Sequence, residues 1–150
     1  MDVPPKPRVV LVVEDDADHA LLIKLGLSNT RAPLLVRAVS SGEQAIRYLS
    51  RGQPFVDPAD SPLPSLILLD LGLPGISGFD VLEWLRAQAG LSRIPVVILT
   101  ISAEPSDRRR AKELGATEYV VKPFDFSVLG PMVEGFLEAP SSSAKQGRVS

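Results

Sequence analysis

A parallel β-sheet covered by helices on both faces is the fold class this sequence predicts, and two observations predict it. Five short apolar runs recur along the 150 residues, at Val9–Val13, Leu34–Val39, Leu66–Leu69, Val96–Leu99 and Thr117–Val121. Four of them are rich in Val, Ile and Leu without polar alternation, which is how strands buried on both faces read. Segments of helical period separate the runs, so strand and helix alternate five times. Such alternation argues an α/β sheet, and right-handed crossovers resolve it into a doubly wound one.

Each helix has its own signature. The first, Ala17–Ser28, follows a capping Asp16 and is apolar almost all round, with Ala20, Leu21, Leu22, Ile23, Leu25 and Leu27. A surface helix needs to hide only one stripe, so the overflow predicts a partner surface. The second, Gly42–Ser50, is capped by Ser41, and the third, Phe79–Gln88, by Ser77. Trp84 on the third reads as a packing residue. The fourth, Ser106–Leu114, carries Arg108, Arg109 and Arg110, which on an acidic chain read as a solvated face rather than a nucleic-acid site. The fifth, Ser127–Leu137, places Val128, Leu129, Met132, Val133, Phe136 and Leu137 on one stripe, with Pro131 near its first turn. Between the second helix and third strand, Arg51–Ser65 holds Pro54, Pro58, Pro62 and Pro64 and reads as a stiff loop.

Composition removes several function classes. Apolar residues make up 45% and charged residues 23%, so the chain can bury a core unaided. A net charge of −2 gives no general pull toward nucleic acid or anionic lipid. Without cysteine, disulfides, thiolate catalysis and Cys-ligated zinc are excluded. The apolar runs are strand-sized, far short of a bilayer span, and Met1–Arg8 lacks the apolar core of a signal peptide. A cytoplasmic protein is expected, with one domain over residues 1–138, a polar tail over 139–150 and no output domain.

The polar residues that remain sit at strand ends. Glu14, Asp15 and Asp16 follow the first strand, Asp70 ends the third, Thr100 the fourth and Lys122 the fifth. A parallel sheet delivers all its strand C-termini to one edge, where α/β folds bind ligands. Carboxylates, a hydroxyl and an ammonium thus converge from separate segments. Clustered carboxylates call for a cation, and an all-oxygen site suits Mg²⁺. One carboxylate can serve as a nucleophile that forms an acyl phosphate, with the remaining groups neutralising the transferring oxygens. His19, the sole histidine, reads as a helix-face residue near this acidic rim rather than a ligand or phosphoryl donor.

The strings VVEDD at Val12–Asp16, LLDLGLPGISG at Leu68–Gly78, LT at Leu99–Thr100 and EYVVKPF at Glu118–Phe124 resemble the receiver domains of two-component response regulators. Pro74 and Gly78 stand four and eight residues after Asp70, Thr100 thirty after it, and Lys122 twenty-two after Thr100, as in that family. The likeness runs from about Arg8 to Leu137, and extends to the small regulators paired with phytochrome-type kinases. It implies a flavodoxin-like sheet of order 2-1-3-4-5. It implies that Asp70 accepts a phosphoryl group from a sensor histidine kinase. Glu14, Asp15, Asp70 and the Gly72 carbonyl would hold Mg²⁺, and Thr100 and Lys122 would bind phosphoryl oxygens. Tyr119 would take the position of the aromatic that follows the threonine's movement, and the first helix would face the kinase. Gly72 brings no side chain to shape hydrolysis, and Ile101 is bulkier than the alanine often found after the threonine.

The resemblance makes the protein a switch acting on a downstream protein, with self-catalysed phosphorylation and slow hydrolysis, rather than a turnover enzyme. A homodimer through the C-terminal part is also expected, since the stripe ending at Phe136 and Leu137 and the arm beyond offer a self-complementary surface. A degenerate receiver acting as a pure binding module would show a broken acidic pocket. An aspartyl-phosphate hydrolase would usually carry a second Asp at position 72, which is Gly. No glycine-rich turn follows the first strand, so nucleotide-cradling loops are absent.

Overall fold

The computed structural model describes residues 7–52, 54–59 and 61–138. Its five strands are β1 (Arg8–Val13), β2 (Leu34–Val39), β3 (Leu66–Leu69), β4 (Val96–Thr100) and β5 (Glu118–Val121). All pair in parallel, in the order β2-β1-β3-β4-β5. The helices are α1 (Ala17–Gly26), α2 (Gly42–Ser50), α3 (Gly78–Arg86), α4 (Pro105–Glu113) and α5 (Leu129–Glu138). The expected doubly wound sheet is the one found.

Strand periodicity sorts the core into two layers. Val10 and Val12, Leu66 and Leu68, Val97 and Leu99 face one side, where they pack with Ile23 and Leu27 near α1 and with Leu129 and Val133 of α5. Leu11 and Val13, Ile67 and Leu69, Val96 and Ile98 face the other, against Tyr48 of α2, Leu82 and Leu85 of α3, and Ala111 of α4. Alternate residues of one run therefore serve opposite layers, which is why the central strands show no polar positions. Each fully buried Leu or Ile contributes about 1.5–3 kcal/mol of transfer free energy relative to exposure.

The caps are those the side chains dictate. Asp16 accepts from the main-chain N–H groups of Asp18 and His19, and Ser41 accepts from Gln44. Ser77 and Asp80 form a reciprocal capping box at the start of α3. Helix ends depart from the sequence reading by a residue or two. α1 stops at Gly26, where a Cβ would stand 2.1 Å from the Phe126 carbonyl oxygen, so that only glycine allows the approach. The segment expected as one helix from Ser127 begins instead as a 3-10 turn over Phe126–Val128, with Asp125 capping the Ser127 N–H, before α5 starts at Leu129.

The proline-bearing loop packs down rather than standing free. The Tyr48 hydroxyl donates to the Pro62 carbonyl at 2.6 Å, and Phe55 lies 5.2 Å from the Tyr48 ring. The Ser61 hydroxyl, fully buried, lies 2.9 Å from the carbonyls of both Phe55 and Asp57. Trp84 packs against the α2–α4 layer, as a core residue would.

Candidate functional site

Four strand ends and one helix start build the site. The Asp70 N–H donates to Val13 O at 3.1 Å, and the Glu14 N–H to Val39 O at 3.0 Å, so the ladders carry both residues just past β3 and β1. The Lys122 N–H donates to Thr100 O at 2.7 Å, fixing the end of β5 beside the end of β4. Glu14, Asp70 and Thr100 are all buried. Asp15 is exposed, yet one carboxylate oxygen from each of Glu14, Asp15 and Asp70 falls within 4.8 Å of the others.

The Lys122 ammonium spans this cluster. Its Nζ lies 2.6 Å from Glu14 Oε1 and 2.9 Å from Asp70 Oδ2, with the side chain almost wholly buried. The other Asp70 oxygen, Oδ1, accepts from the Gly72 N–H at 3.1 Å. Burial, the largest single influence, would raise the Asp70 carboxyl, but the groups around it together outweigh burial, the hydrogen bond from Lys122 first among them. The Gly72 N–H, the ammonium charge and the Thr100 hydroxyl add to the effect, so Asp70 sits below the usual Asp value. Glu14 goes the other way, raised chiefly by burial and further by the Asp70 charge, with Lys122 pulling against it. Burial would lower Lys122, but hydrogen bonds to Glu14 and Asp70 and their charges hold its value above that of a free lysine. The site thus keeps an ionised Asp70 beside a protonated Lys122.

The donor set fits a hard divalent cation. Glu14 Oε2 accepts from the Asp16 N–H at 3.1 Å, and buried Oε1 faces the Lys122 ammonium at 2.6 Å. Three carboxylate oxygens gathered within 4.8 Å match the hard oxygen ligands Mg²⁺ prefers. Asp16 is spent on capping α1, as the sequence reading had it.

Not every named residue meets the cluster. Tyr119 sits half-buried on β5, its hydroxyl donating to the Ser102 carbonyl at 2.9 Å and its ring 4.6 Å beneath the Arg108 guanidinium. It is tied to the segment two residues beyond Thr100, not to the carboxylates. Arg110 likewise covers the Phe79 ring at 4.3 Å, so the arginine run does more than meet solvent. His19 is the residue whose contact sequence reasoning missed: its Nδ1 lies 2.9 Å from Lys122 Nζ. The available signal was its place in the first turn of a helix that starts at the site.

Fold and site together define a class. The response regulator receiver domain model matches residues 10–134, and the chain belongs to that family. It is 33% identical over 132 residues to the probable methanogenesis regulatory protein FilR2 of Methanothrix harundinacea, covering 88% of this chain and 83% of that one. The response regulator Rcp1 of Synechocystis sp. is 33% identical over 129 residues, with 86% of both chains covered. Among solved structures, the phosphorylated cyanobacterial phytochrome response regulator RcpA superposes with a TM-score of 0.78 at 33% identity, covering 93% of this chain and 98% of that chain. Receiver domains work in two-component systems with histidine kinases, as phosphoacceptor switches.

Proposed function

We propose that Asp70 is the phosphoacceptor of this receiver, charged by the phosphohistidine of a sensor kinase in the presence of Mg²⁺. The observation that carries the reading is the hold on the Asp70 carboxylate. One oxygen is fixed by the Gly72 N–H and the other by Lys122, so the group is ionised and aimed within the acidic cluster. In the transfer, an Asp70 oxygen forms a bond to phosphorus as the phosphorus–nitrogen bond of the donor breaks. The departing imidazole keeps the bonding pair and takes up a proton. Lys122 and the Thr100 hydroxyl neutralise the equatorial oxygens, and positioning supplies most of the catalysis. Mg²⁺, held by Glu14, Asp15, Asp70 and the Gly72 carbonyl, would supply charge neutralisation at those same oxygens. Water attacking phosphorus later returns the free carboxylate and inorganic phosphate.

The readout would run through Thr100 to Tyr119, whose hydroxyl already binds the chain at Ser102. Kinase docking would use α1, where Leu21, Leu22 and Leu25 are exposed beside the fully exposed Phe124. A phytochrome-type kinase is favoured by the likeness to Rcp1 and RcpA. Among the described residues no helix is long and apolar enough to cross a membrane, which fits a cytoplasmic role. The expected C-terminal arm over 139–150 lies outside the described residues. Within α5, Val133 is buried and Phe136 and Leu137 pack on the same layer, so a homodimer would draw on what that helix leaves uncovered and on the arm.

Acetyl phosphate with Mg²⁺ should add one acid-stable, base-labile phosphoryl group to the wild type and none to Asp70→Asn, read by intact-mass spectrometry. Full labelling of the Asn variant would move the acceptor elsewhere.

A further inference from the structure

The Lys122 ammonium has three partners, and only two are acidic. Its Nζ lies 2.6 Å from Glu14 Oε1, 2.9 Å from Asp70 Oδ2 and 2.9 Å from His19 Nδ1. A lysine ammonium offers three N–H donors and no acceptor. The contact with the ring therefore runs one way: Lys122 donates and Nδ1 accepts. The imidazole is then neutral, with its proton on Nε2. The geometry points to His19 as a positioning residue, which holds the Lys122 ammonium over Asp70 by the one contact that a divalent cation does not contest. This rests on the reading of Asp70 as phosphoacceptor.

Glu14 and Asp70 belong to the carboxylate cluster, and His19 does not. A cation bound to those carboxylates would draw on the lone pairs that hold Lys122 and would repel its charge. Lys122 stands on a flexible four-carbon stem, free to swing away once its ionic anchors weaken. A neutral imidazole is a poor ligand for a hard, oxygen-seeking ion, so His19 keeps its bond. The residue's backbone is fixed at the start of α1, where the His19 main-chain N–H donates to Asp16 Oδ1 at 3.1 Å, and the Phe126 ring lies 6.1 Å from the imidazole at a tilt of 40°. The charged groups facing His19 are Lys122 and Asp16; Phe126, the neighbour from beyond β5, carries no charge.

His19 is the chain's only histidine, so ¹⁵N-edited NMR of imidazole nitrogens reads it without assignment. The expected spectrum shows the Nε2–H tautomer both metal-free and at saturating Mg²⁺, and a mixed tautomer in Lys122→Met. Two variants separate the acceptor from the bulk. His19→Leu keeps the volume without an acceptor, and His19→Asn keeps an acceptor near the Nδ1 position. At saturating Mg²⁺, His19→Leu should label from acetyl phosphate about three- to tenfold more slowly, and His19→Asn within about twofold of wild type. Mg²⁺ affinity should not fall in either variant, which a general loss of site structure would not allow. An Nδ1–H tautomer, a Leu variant as fast as wild type, or an Asn variant as slow as Leu overturns the assignment. Should the Leu variant fail to fold, the tautomer in wild type and Lys122→Met decides alone. A wild-type protein that takes no label refutes the phosphoacceptor reading instead, leaving the tautomer to judge His19 separately.

Discussion

Glu14 and Asp70 share one ammonium but are pushed in opposite directions, and the difference is testable. Glu14 has a folded value above its unfolded one, chiefly through burial. The stability from that shift is present below the unfolded value and lost as pH rises through the folded one. At neutral pH without metal, ionised Glu14 therefore costs stability. Glu14→Gln should melt higher than wild type at pH 7 in a chelator, and the gap should close below about pH 4, where Glu14 is protonated in both states. Excess Mg²⁺ should stabilise the wild type more than the variant, because the ion binds only the folded carboxylate cluster. Ile101 is a second case at this scale. It stands 75% exposed directly after Thr100, so Ile101→Ala should change stability by less than about 0.5 kcal/mol. We propose that this β-branched chain overhangs the pocket mouth and restricts small attackers. The same variant should speed acetyl-phosphate labelling and self-hydrolysis together by about three- to tenfold, measured as two separate rates. Unchanged rates would mean that the side chain points away.

The junction of β3 with α3 shows how an element serves the site. The Gly78 N–H donates to Leu71 O at 3.2 Å, and a Cβ at Gly78 would stand 2.2 Å from the Asp70 carbonyl oxygen. The backbone of α3 thus touches the backbone of Asp70 itself, leaving no room for a side chain. Gly78→Ala should cost about 1–3 kcal/mol by overpacking and lower the labelling rate, because Asp70, the proposed acceptor, must shift to relieve the clash. Ser77→Ala is the control one residue earlier. It removes the capping box and should cost about 1 kcal/mol in denaturant unfolding, with labelling preserved. If both variants label alike, α3 does not set the acceptor's position. Arg86 closes the other end of α3, donating to the carbonyls of Ser92 and Ile94 at 2.8 Å and of Gly115 at 2.7 Å.

Across the whole molecule, one edge of the sheet gathers the acidic cluster around Lys122, and apolar side chains of α1 and Phe124 stay exposed. Leu22 and Leu25 of α1 line a shallow groove with Phe124 and Phe126 from the connection after β5. Phe124 in this groove follows Lys122 by two residues in the chain. Leu25→Asp should reduce phosphotransfer from a cognate kinase by more than about tenfold, the loss of one desolvated interface anchor. Labelling by acetyl phosphate should stay unchanged, since no docking is involved. Equal losses from both donors would place the defect in the site. Assembly is read separately: light scattering at micromolar concentration should show a homodimer, and a lone 16.1 kDa species in every phosphorylation state would remove that proposal.

What the sequence by itself determined was the frame and the residues at its active edge. Runs such as Leu66–Leu69 are too short and too apolar for anything but doubly buried strands, and that local pattern survives without knowledge of neighbours. Once the strands are parallel, Asp70, Thr100 and Lys122 must emerge on one side, so their meeting was legible from position alone. Tertiary structure decided the contacts that depend on how helices seat on the sheet. Gly26 lets α1 press against the Phe126 carbonyl, and the position of α1 brings His19 over Lys122. Tyr119 turns to Ser102 under Arg108, and Tyr48 reaches across the proline-bearing loop to Pro62. Periodicity records which face of an element is apolar, because burial acts on every residue of that face. It does not record which polar atom meets which across the layers, because that follows from helix offsets of an ångström or two set by packing.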